Sequence, residues 1–290
     1  MSAPMSAPLP PILTSIAPLA ATTDAWIVDI WGVMHNGVQP FLPAAEAAQA
    51  FRKGGGTVVL LSNAPRPSGE IIKQLARIGV PREAWDEIIT SGDATRELIA
   101  RQAGRPVFHL GPERDRPLFD GLSVQFAGPE AADAIVCTGL FDDERETADD
   151  YREMLASFLQ RKALMICANP DLTVERGTQI VPCAGALAEA YRALGGEVAY
   201  AGKPHRPVYE MAFAAIDRVR QAPTPQSRIL AIGDGLRTDI AGAASAGIRS
   251  VFIASGIHVD DKRGLDERTL ADLFGDRPER PVGAMSVLRW

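Results

Sequence analysis

Residues 26–37 read WIVDIWGVMHNG, an apolar run that ends at Asp29 and continues into a glycine-bearing turn. A run of this length with β-branched residues predicts a buried strand of a parallel sheet. In open parallel sheets, ligands bind beyond the carboxyl ends of the strands. Asp29 stands at such an end, so the segment predicts a functional carboxylate, with a helix cap or turn residue as the structural alternative.

Three later segments repeat this arrangement, since an apolar run again ends in polar side chains. Each polar residue alone has an ordinary explanation: a turn, a helix cap or a solvated lysine. Together they predict a shared site, because the carboxyl ends of parallel strands meet at one edge of a sheet. The polar residues at these three strand ends are Ser62, Asn63, Lys203, Asp234 and Asp239.

Strand and helix patterns alternate over the first hundred residues and again near the end, which predicts an α/β fold with crossover helices. The middle is less regular and is interpreted as a second α/β unit inserted into the first. The predicted strands are residues 57–61, 88–91, 107–110, 124–126, 134–137, 163–168, 228–232 and 250–254. The predicted helices are residues 12–19, 44–53, 70–78, 93–102, 147–162, 184–194, 208–219 and 240–246.

Composition indicates an ordinary globular protein of one large or two modest domains. The chain has 290 residues, of which 46% are hydrophobic and 23% charged, and its net charge is −6. That charge argues against a nucleic-acid or anionic-membrane partner. The amino terminus lacks the basic start and long apolar run of a signal peptide or membrane span. Three widely spaced cysteines, without a CxxC pair, favour reduced thiols and a cytoplasmic location.

The strand-end residues have the chemistry that phosphoryl transfer needs. An aspartate carboxylate can attack phosphorus and form an aspartyl-phosphate, and Mg²⁺ offsets the repulsion between the two anions. Asp29 and Asp234 would supply two carboxylates for the metal, and Asp239 would fix a metal-bound water. Lys203 would neutralise phosphate oxygens. Ser62, with nearby backbone N–H groups, would form an anion nest.

The chain resembles the haloacid dehalogenase (HAD) superfamily, and within it subfamily IIA, the sugar-phosphatase and 4-nitrophenyl-phosphatase-like group. The resemblance covers about residues 24–274. The segments GLFDDE, CANPD and GALAEAYRALGG also look like that subfamily's cap region. The motifs that carry the resemblance are VDIWGV at Asp29, LSN at Ser62, GKPH at Lys203 and IGDGLRTDIAGAASAG at Asp234.

The resemblance implies a Rossmann-like core of residues 1–97 and 198–290, with an inserted α/β cap of residues 98–197. It implies Mg²⁺-dependent hydrolysis of a small phosphorylated metabolite under a closing cap, and a cap-mediated homodimer is compatible with it. The Trp31 carbonyl would join the metal ligands. Phosphate would meet Ser62, Asn63 and Lys203. The cap segment with Asn169 and Asp171 would touch substrate, although a plain turn is the equal alternative there.

The chain departs from the family at Trp31, where phosphatases usually carry an aspartate that protonates the leaving group. An indole N–H donates a hydrogen bond but cannot shuttle a proton. His35 is a candidate replacement, and a loop residue is the favoured interpretation of it. The sequence therefore predicts weak activity on sugar phosphates and better activity on activated esters. A catalytically silent phosphometabolite-binding protein is the second hypothesis. A dehalogenase is disfavoured by the metal-site aspartates.

Overall fold

The computed structural model describes residues 8–176, 179–254 and 265–290, in which strands and helices alternate as the sequence predicts. The strands are β1 (Ala25–Asp29), β2 (Thr57–Ser62), β3 (Glu87–Thr90), β4 (Pro106–Leu110), β5 (Gln125–Phe126), β6 (Ala134–Cys137), β7 (Leu164–Cys167), β8 (Thr173–Arg176), β9 (Gln179–Pro182), β10 (Val198–Tyr200), β11 (Ile229–Gly233), β12 (Arg249–Ile253) and β13 (Gly283–Met285). The α-helices are α1 (Ala17–Ala20), α2 (Leu42–Lys53), α3 (Ser68–Ile78), α4 (Ser91–Ala100), α5 (Arg152–Gln160), α6 (Ala184–Ala193), α7 (Arg206–Arg220), α8 (Ala241–Ser245) and α9 (Glu267–Phe274).

A six-stranded sheet has the order β13-β12-β11-β1-β2-β3, in which β11 and β1 are the two central strands. Strand β1 pairs in parallel with β11 on one side and β2 on the other. Every residue of these three strands is buried, which explains their continuous apolar sequences. Trp26 of β1 stacks on Phe51 of α2, with ring centroids 4.0 Å apart. The predicted Rossmann-like parallel sheet is confirmed.

A second sheet, of five parallel strands, has the order β10-β7-β6-β4-β5. Two apolar clusters cover it. One contains Leu155 and Leu187, from α5 and α6, and the other contains Ile99 of α4 and Leu118. Helices therefore pack on this sheet as expected for an α/β unit. The hairpin formed by β8 and β9 is antiparallel.

The chain divides into two compact units. The first contains Met1–Leu61, Leu75–Glu87 and Ala212–Trp290, and the second contains Ser62–Gln74 and Ile88–Met211. The core and cap boundaries implied by the family resemblance stay a prediction. Among the described residues, no helix combines the length and apolar character needed to cross a membrane.

Some elements differ from the sequence-based prediction. The helix predicted over residues 12–19 begins only at Ala17, because Ile12 instead forms a parallel β-bridge with Ala284. The helix predicted from residue 147 starts as a 3-10 turn, Ala148–Tyr151, with a capping box formed by Thr147 and Asp150. The helix predicted from residue 240 follows a π-helical turn over Leu236–Ile240. The hairpin β8–β9, helix α9 and strand β13 were not predicted.

Candidate active site

Three buried aspartates form an acidic cluster in the first unit. Carboxylate oxygens of Asp29, Asp234 and Asp239 all lie within 4.8 Å of one another, and each residue is at most 8% exposed. Asp29 ends β1 and Asp234 directly follows β11, and these neighbouring strands run parallel with Val28 opposite Ile232. The pairing therefore brings two strand-end carboxylates to one edge, as the sequence predicts.

The turn after β1 leaves room for one of these carboxylates. The N–H of Gly32 donates to the carbonyl of His35 at 2.8 Å, and that of Met34 donates to the carbonyl of Ile30 at 2.9 Å. Gly32 has a φ of +84°, and a Cβ built on it would lie 2.1 Å from Asp234 Oδ2. Glycine is therefore required here both for its backbone conformation and for the close approach of Asp234.

The π-helical turn after β11 folds Asp239 back toward the end of that strand. The backbone N–H of Gly235 donates to Asp239 Oδ2 at 3.0 Å, and the Thr238 hydroxyl donates to the same oxygen at 3.4 Å. These bonds orient the carboxylate from within its own loop. The five-residue spacing between Asp234 and Asp239 in GDGLRTDI therefore allows the loop itself to orient the Asp239 carboxylate.

The acidic cluster fits a hard divalent cation such as Mg²⁺. Oxygen ligands suit this ion, and three carboxylates this close repel one another unless positive charge lies among them. Asp29, Asp234 and Asp239 are the residues that would hold it. The contribution of the Trp31 carbonyl stays a prediction.

In the second unit, Asn63 contacts two other predicted site residues. Its Oδ1 accepts the N–H of Lys203 at 2.7 Å, and its Nδ2 donates to the Lys203 carbonyl at 3.1 Å and to Asp171 Oδ1 at 2.9 Å. The Ser62 hydroxyl accepts the N–H of Ala64 at 3.1 Å. The structure therefore groups Asn63, Lys203 and Asp171. The convergence of all four strand-end segments stays a prediction.

The turn that contains Asn169 has an internal hydrogen bond. Asn169 Oδ1 accepts the N–H of Asp171 at 3.0 Å, which is the geometry of an Asx turn. This contact supports the plain-turn interpretation of Asn169. Its predicted contact with substrate stays a prediction, as does that of Asp171.

His35 is buried beside Trp31. The two rings meet edge to face with centroids 5.3 Å apart, and His35 Nδ1 accepts the N–H of Gly37 at 2.8 Å. His35 is only 2% exposed, and this burial lowers the pKa of its imidazole to about 4. These contacts favour a structural role for His35 in the turn rather than a replacement acid.

The sequence reasoning missed a buried polar cluster formed by His109, Asp115 and Thr138. His109 Nε2 and Thr138 Oγ1 are 2.9 Å apart. Burial raises the pKa of the Asp115 carboxyl, and a hydrogen bond from Thr138 partly opposes that shift. Burial also lowers the pKa of His109 to about 4. No local sequence motif predicts this cluster, because its three residues come from separate segments of the chain.

The fold and the acidic cluster define an α/β enzyme with a carboxylate centre at the edge of a parallel sheet. Residues 26–125 match the family model described as haloacid dehalogenase-like hydrolase, and residues 200–274 match the model described as HAD-hydrolase-like. A solved haloacid dehalogenase-like hydrolase from Brucella suis 1330 is 46% identical, with a TM-score of 0.82, over 85% of this chain and 94% of that one. The chain belongs to the haloacid dehalogenase-like hydrolase family.

Two relatives are named as a monophosphatase and a nucleotidase. The ribonucleotide monophosphatase NagD of Escherichia coli (strain K12) is 29% identical over 80% of this chain and 87% of its own length. The 5'-nucleotidase YutF of Bacillus subtilis (strain 168) is 23% identical over 93% of this chain and 98% of its own. The predicted resemblance to this group is confirmed, and the protein is an enzyme of the phosphatase group that these relatives represent.

Proposed function

We propose that the protein is a Mg²⁺-dependent phosphatase that hydrolyses a small phosphorylated metabolite through an aspartyl-phosphate on Asp29. The observation that carries this proposal is the buried cluster of Asp29 with Asp234 and Asp239. A binding site for phosphate alone has no need of an acidic side chain beside the anion. The names of NagD and YutF, which point to nucleotide substrates, support the substrate class.

Asp29 is the proposed nucleophile. Its carboxylate oxygen forms a bond to phosphorus while the bond from phosphorus to the leaving oxygen breaks, and water then releases phosphate from Asp29. Mg²⁺ bound by the three aspartates would supply the positive charge that lets one anion approach the other. Asp29 and Asp234 would ligate the ion directly, and Asp239 would hold it through a metal-bound water. The Trp31 carbonyl is kept as a further proposed ligand.

Phosphate binding is assigned to Ser62 and Lys203. The Lys203 ammonium would neutralise the oxygens that gather charge in the transition state, and the Ser62 hydroxyl would donate to one of them. Lys203 is 2% exposed, so its charge would act with little screening by water. Substrate contact by Asn169, a homodimer and a cytoplasmic location are parts of the same proposal.

Trp31 sets the expected range of substrates. The residue two positions after Asp29 would normally protonate the leaving oxygen, and an indole cannot do so. Alkoxides leave poorly without a proton, whereas phenolates, carboxylates and phosphates leave more readily. We therefore expect phenyl phosphates, acyl phosphates and anhydrides to be better substrates than sugar phosphates.

The test is a phosphatase screen across phosphorylated metabolites with Mg²⁺, using the wild type and Asp29→Asn. We expect hydrolysis by the wild type and none above background by Asp29→Asn. The matched control is Asp276→Asn, which removes an exposed carboxylate of the first unit and should leave turnover unchanged. Full activity in Asp29→Asn would contradict the assignment of the nucleophile.

A second candidate function, a silent protein that binds phosphorylated metabolites, is favoured by Trp31. Beryllofluoride distinguishes the two, because it forms an acyl-phosphate mimic only on a competent carboxylate. We expect an adduct on Asp29 when beryllofluoride and Mg²⁺ are present. Binding of inorganic phosphate without any such adduct would favour the silent protein.

A further inference from the structure

The side-chain amide of Asn63 is occupied by protein groups. An amide offers two N–H donors and one carbonyl acceptor. In Asn63, the Nδ2 group donates to the Lys203 carbonyl and to Asp171 Oδ1, and Oδ1 accepts the Lys203 N–H. Since these two acceptors take both N–H groups, the amide would have to break one of these bonds before it could donate to a phosphate oxygen.

The packing around Asn63 leaves little freedom for a different arrangement. A Cβ at Gly202 would lie 2.4 Å from Asn63 Oδ1 and 2.7 Å from Pro170 Cδ, so only glycine allows the three segments to meet. Asn63 is 5% exposed and Lys203 is 2% exposed. Hydrogen bonds in such a site are strong and specific, because water cannot replace them.

Asp171 favours one of the two orientations of the Asn63 amide. Its carboxylate accepts a hydrogen bond from Nδ2 and would repel Oδ1 if the amide were rotated by half a turn. The N–H of Asp171 in turn donates to Asn169 Oδ1 at 3.0 Å, which fixes the turn that carries the carboxylate. Asp171 therefore reinforces the orientation that the Lys203 backbone groups also favour, in which Asn63 Oδ1 faces the Lys203 N–H.

Both backbone polar groups of Lys203 are held by this one amide. The residue before it is Gly202, whose backbone is intrinsically free to rotate. Fixing the N–H and the carbonyl of Lys203 fixes the direction of its Cα–Cβ bond. The contacts join positions 140 and 108 residues apart in the chain, so they hold the Lys203 loop against distant segments rather than within itself.

We propose that Asn63 and Asp171 are positioning residues, which direct the Lys203 side chain by clamping its backbone and do not contact the substrate. The inference rests on the proposed function, in which Lys203 neutralises the phosphate. A positioning role and direct contact with the substrate have different effects on activity. A misdirected Lys203 harms every substrate equally because the phosphate is common to all, whereas a lost contact to the leaving group harms some substrates more than others.

The first experiment measures kcat and KM for several phosphate esters with Asp171→Ala, Asp171→Asn and Asn63→Ala. We expect Asp171→Ala and Asn63→Ala to lower kcat by roughly tenfold or more, by the same factor for every ester, since small misplacements of a charge are costly. Asp171→Asn keeps an oxygen acceptor for Asn63 Nδ2 and should restore most of kcat. Asp133→Ala, which removes an exposed aspartate of the same unit, should match the wild type.

Hydrogen exchange at the backbone amide of Lys203 reports on its hydrogen bond to Asn63 independently of enzyme activity. We expect faster exchange in Asn63→Ala and Asp171→Ala than in the wild type, Asp171→Asn or Asp133→Ala, at equal thermal midpoints. Unchanged exchange and unchanged kcat would overturn the inference. So would a KM that rises for some esters only and is not restored in Asp171→Asn, because this pattern indicates direct contact with substrate.

A separate measurement distinguishes failure of the proposed phosphatase function from failure of the positioning role. If the wild type hydrolyses no ester, affinity for inorganic phosphate, measured by calorimetry, decides the inference instead. We then expect Asp171→Ala to weaken phosphate binding about tenfold and Asp171→Asn to retain it. Equal affinity in all three proteins would overturn the positioning role.

Discussion

The Asp234 carboxylate packs against the backbone of Gly32, where a Cβ would come within 2.1 Å of Oδ2. Gly32→Ala should therefore displace Asp234 from the acidic cluster and weaken Mg²⁺ binding by roughly 10–100-fold, as expected when the support of a metal ligand is lost. Calorimetric titration of Mg²⁺ would measure the change.

Gly55→Ala is the matched control for this substitution. Gly55 has a φ of +88°, nearly that of Gly32, but nothing lies within 4 Å of the Cβ that would be added. Both variants carry the same backbone strain of about 1–2 kcal/mol, and only Gly32→Ala carries the clash. Equal Mg²⁺ affinity in the two variants would show that Asp234 is not a ligand.

The acidic cluster predicts that Mg²⁺ raises thermal stability. A ligand that binds only the folded state adds about 2.7 kcal/mol of stability at a concentration one hundred times its Kd. We expect the unfolding midpoint of the wild type to rise with Mg²⁺, and the rise to be lost in Asp234→Asn. Differential scanning fluorimetry with and without Mg²⁺ provides the measurement. A rise of the same size in Asp234→Asn would place the ion elsewhere.

The strand-end carboxylates were predictable because a general rule of parallel sheets applies to them. Asp29 ends a buried apolar run, Asp234 ends another, and adjacent parallel strands end at the same edge. The two runs predict that each carboxylate stands at a strand end. The pairing of β1 with β11, with Val28 opposite Ile232, is what brings the two ends together, and the runs alone do not specify it.

Contacts between side chains of distant segments could not be predicted in this way. Asn63 bonds to Asp171, 108 residues later, and nothing in either local sequence specifies the other. Strand β13 was missed because Gly283–Met285 is short and lacks β-branched residues. Its pairing with β12 is a tertiary effect that overrides the weak local preference.

Trp31→Asp should restore a proton donor two residues after Asp29. We expect turnover of sugar phosphates to rise, up to the ~10²–10⁴-fold that general acid–base catalysis contributes, and turnover of 4-nitrophenyl phosphate to change little. Steady-state kinetics on both ester types would measure this. Trp31→Phe is the control, because it removes the indole N–H without adding an acid. A similar rise in Trp31→Phe would mean that the bulk of the indole, and not the missing proton, limits the reaction.

His109 should make the protein sensitive to acid. In the folded protein burial lowers the pKa of its imidazole to about 4, whereas an unfolded histidine titrates near pH ~6.5. Between these values the unfolded chain binds more protons than the native state, so stability rises with pH. The contribution of His109 is fully present above pH ~6.5 and is lost as pH falls toward 4.

His109→Gln tests this dependence, because a glutamine amide can hydrogen-bond with the Thr138 hydroxyl but does not titrate. We expect the free energy of unfolding to fall less steeply between pH 6.5 and 4 in the variant than in the wild type, with pH 8 as the internal reference. The buried His35 titrates similarly and stays in both proteins, so part of the slope remains. Chemical denaturation at a series of pH values gives the two slopes. Identical slopes would mean that folding does not shift the pKa of His109, since stability depends on pH only through groups whose pKa differs between the folded and unfolded states.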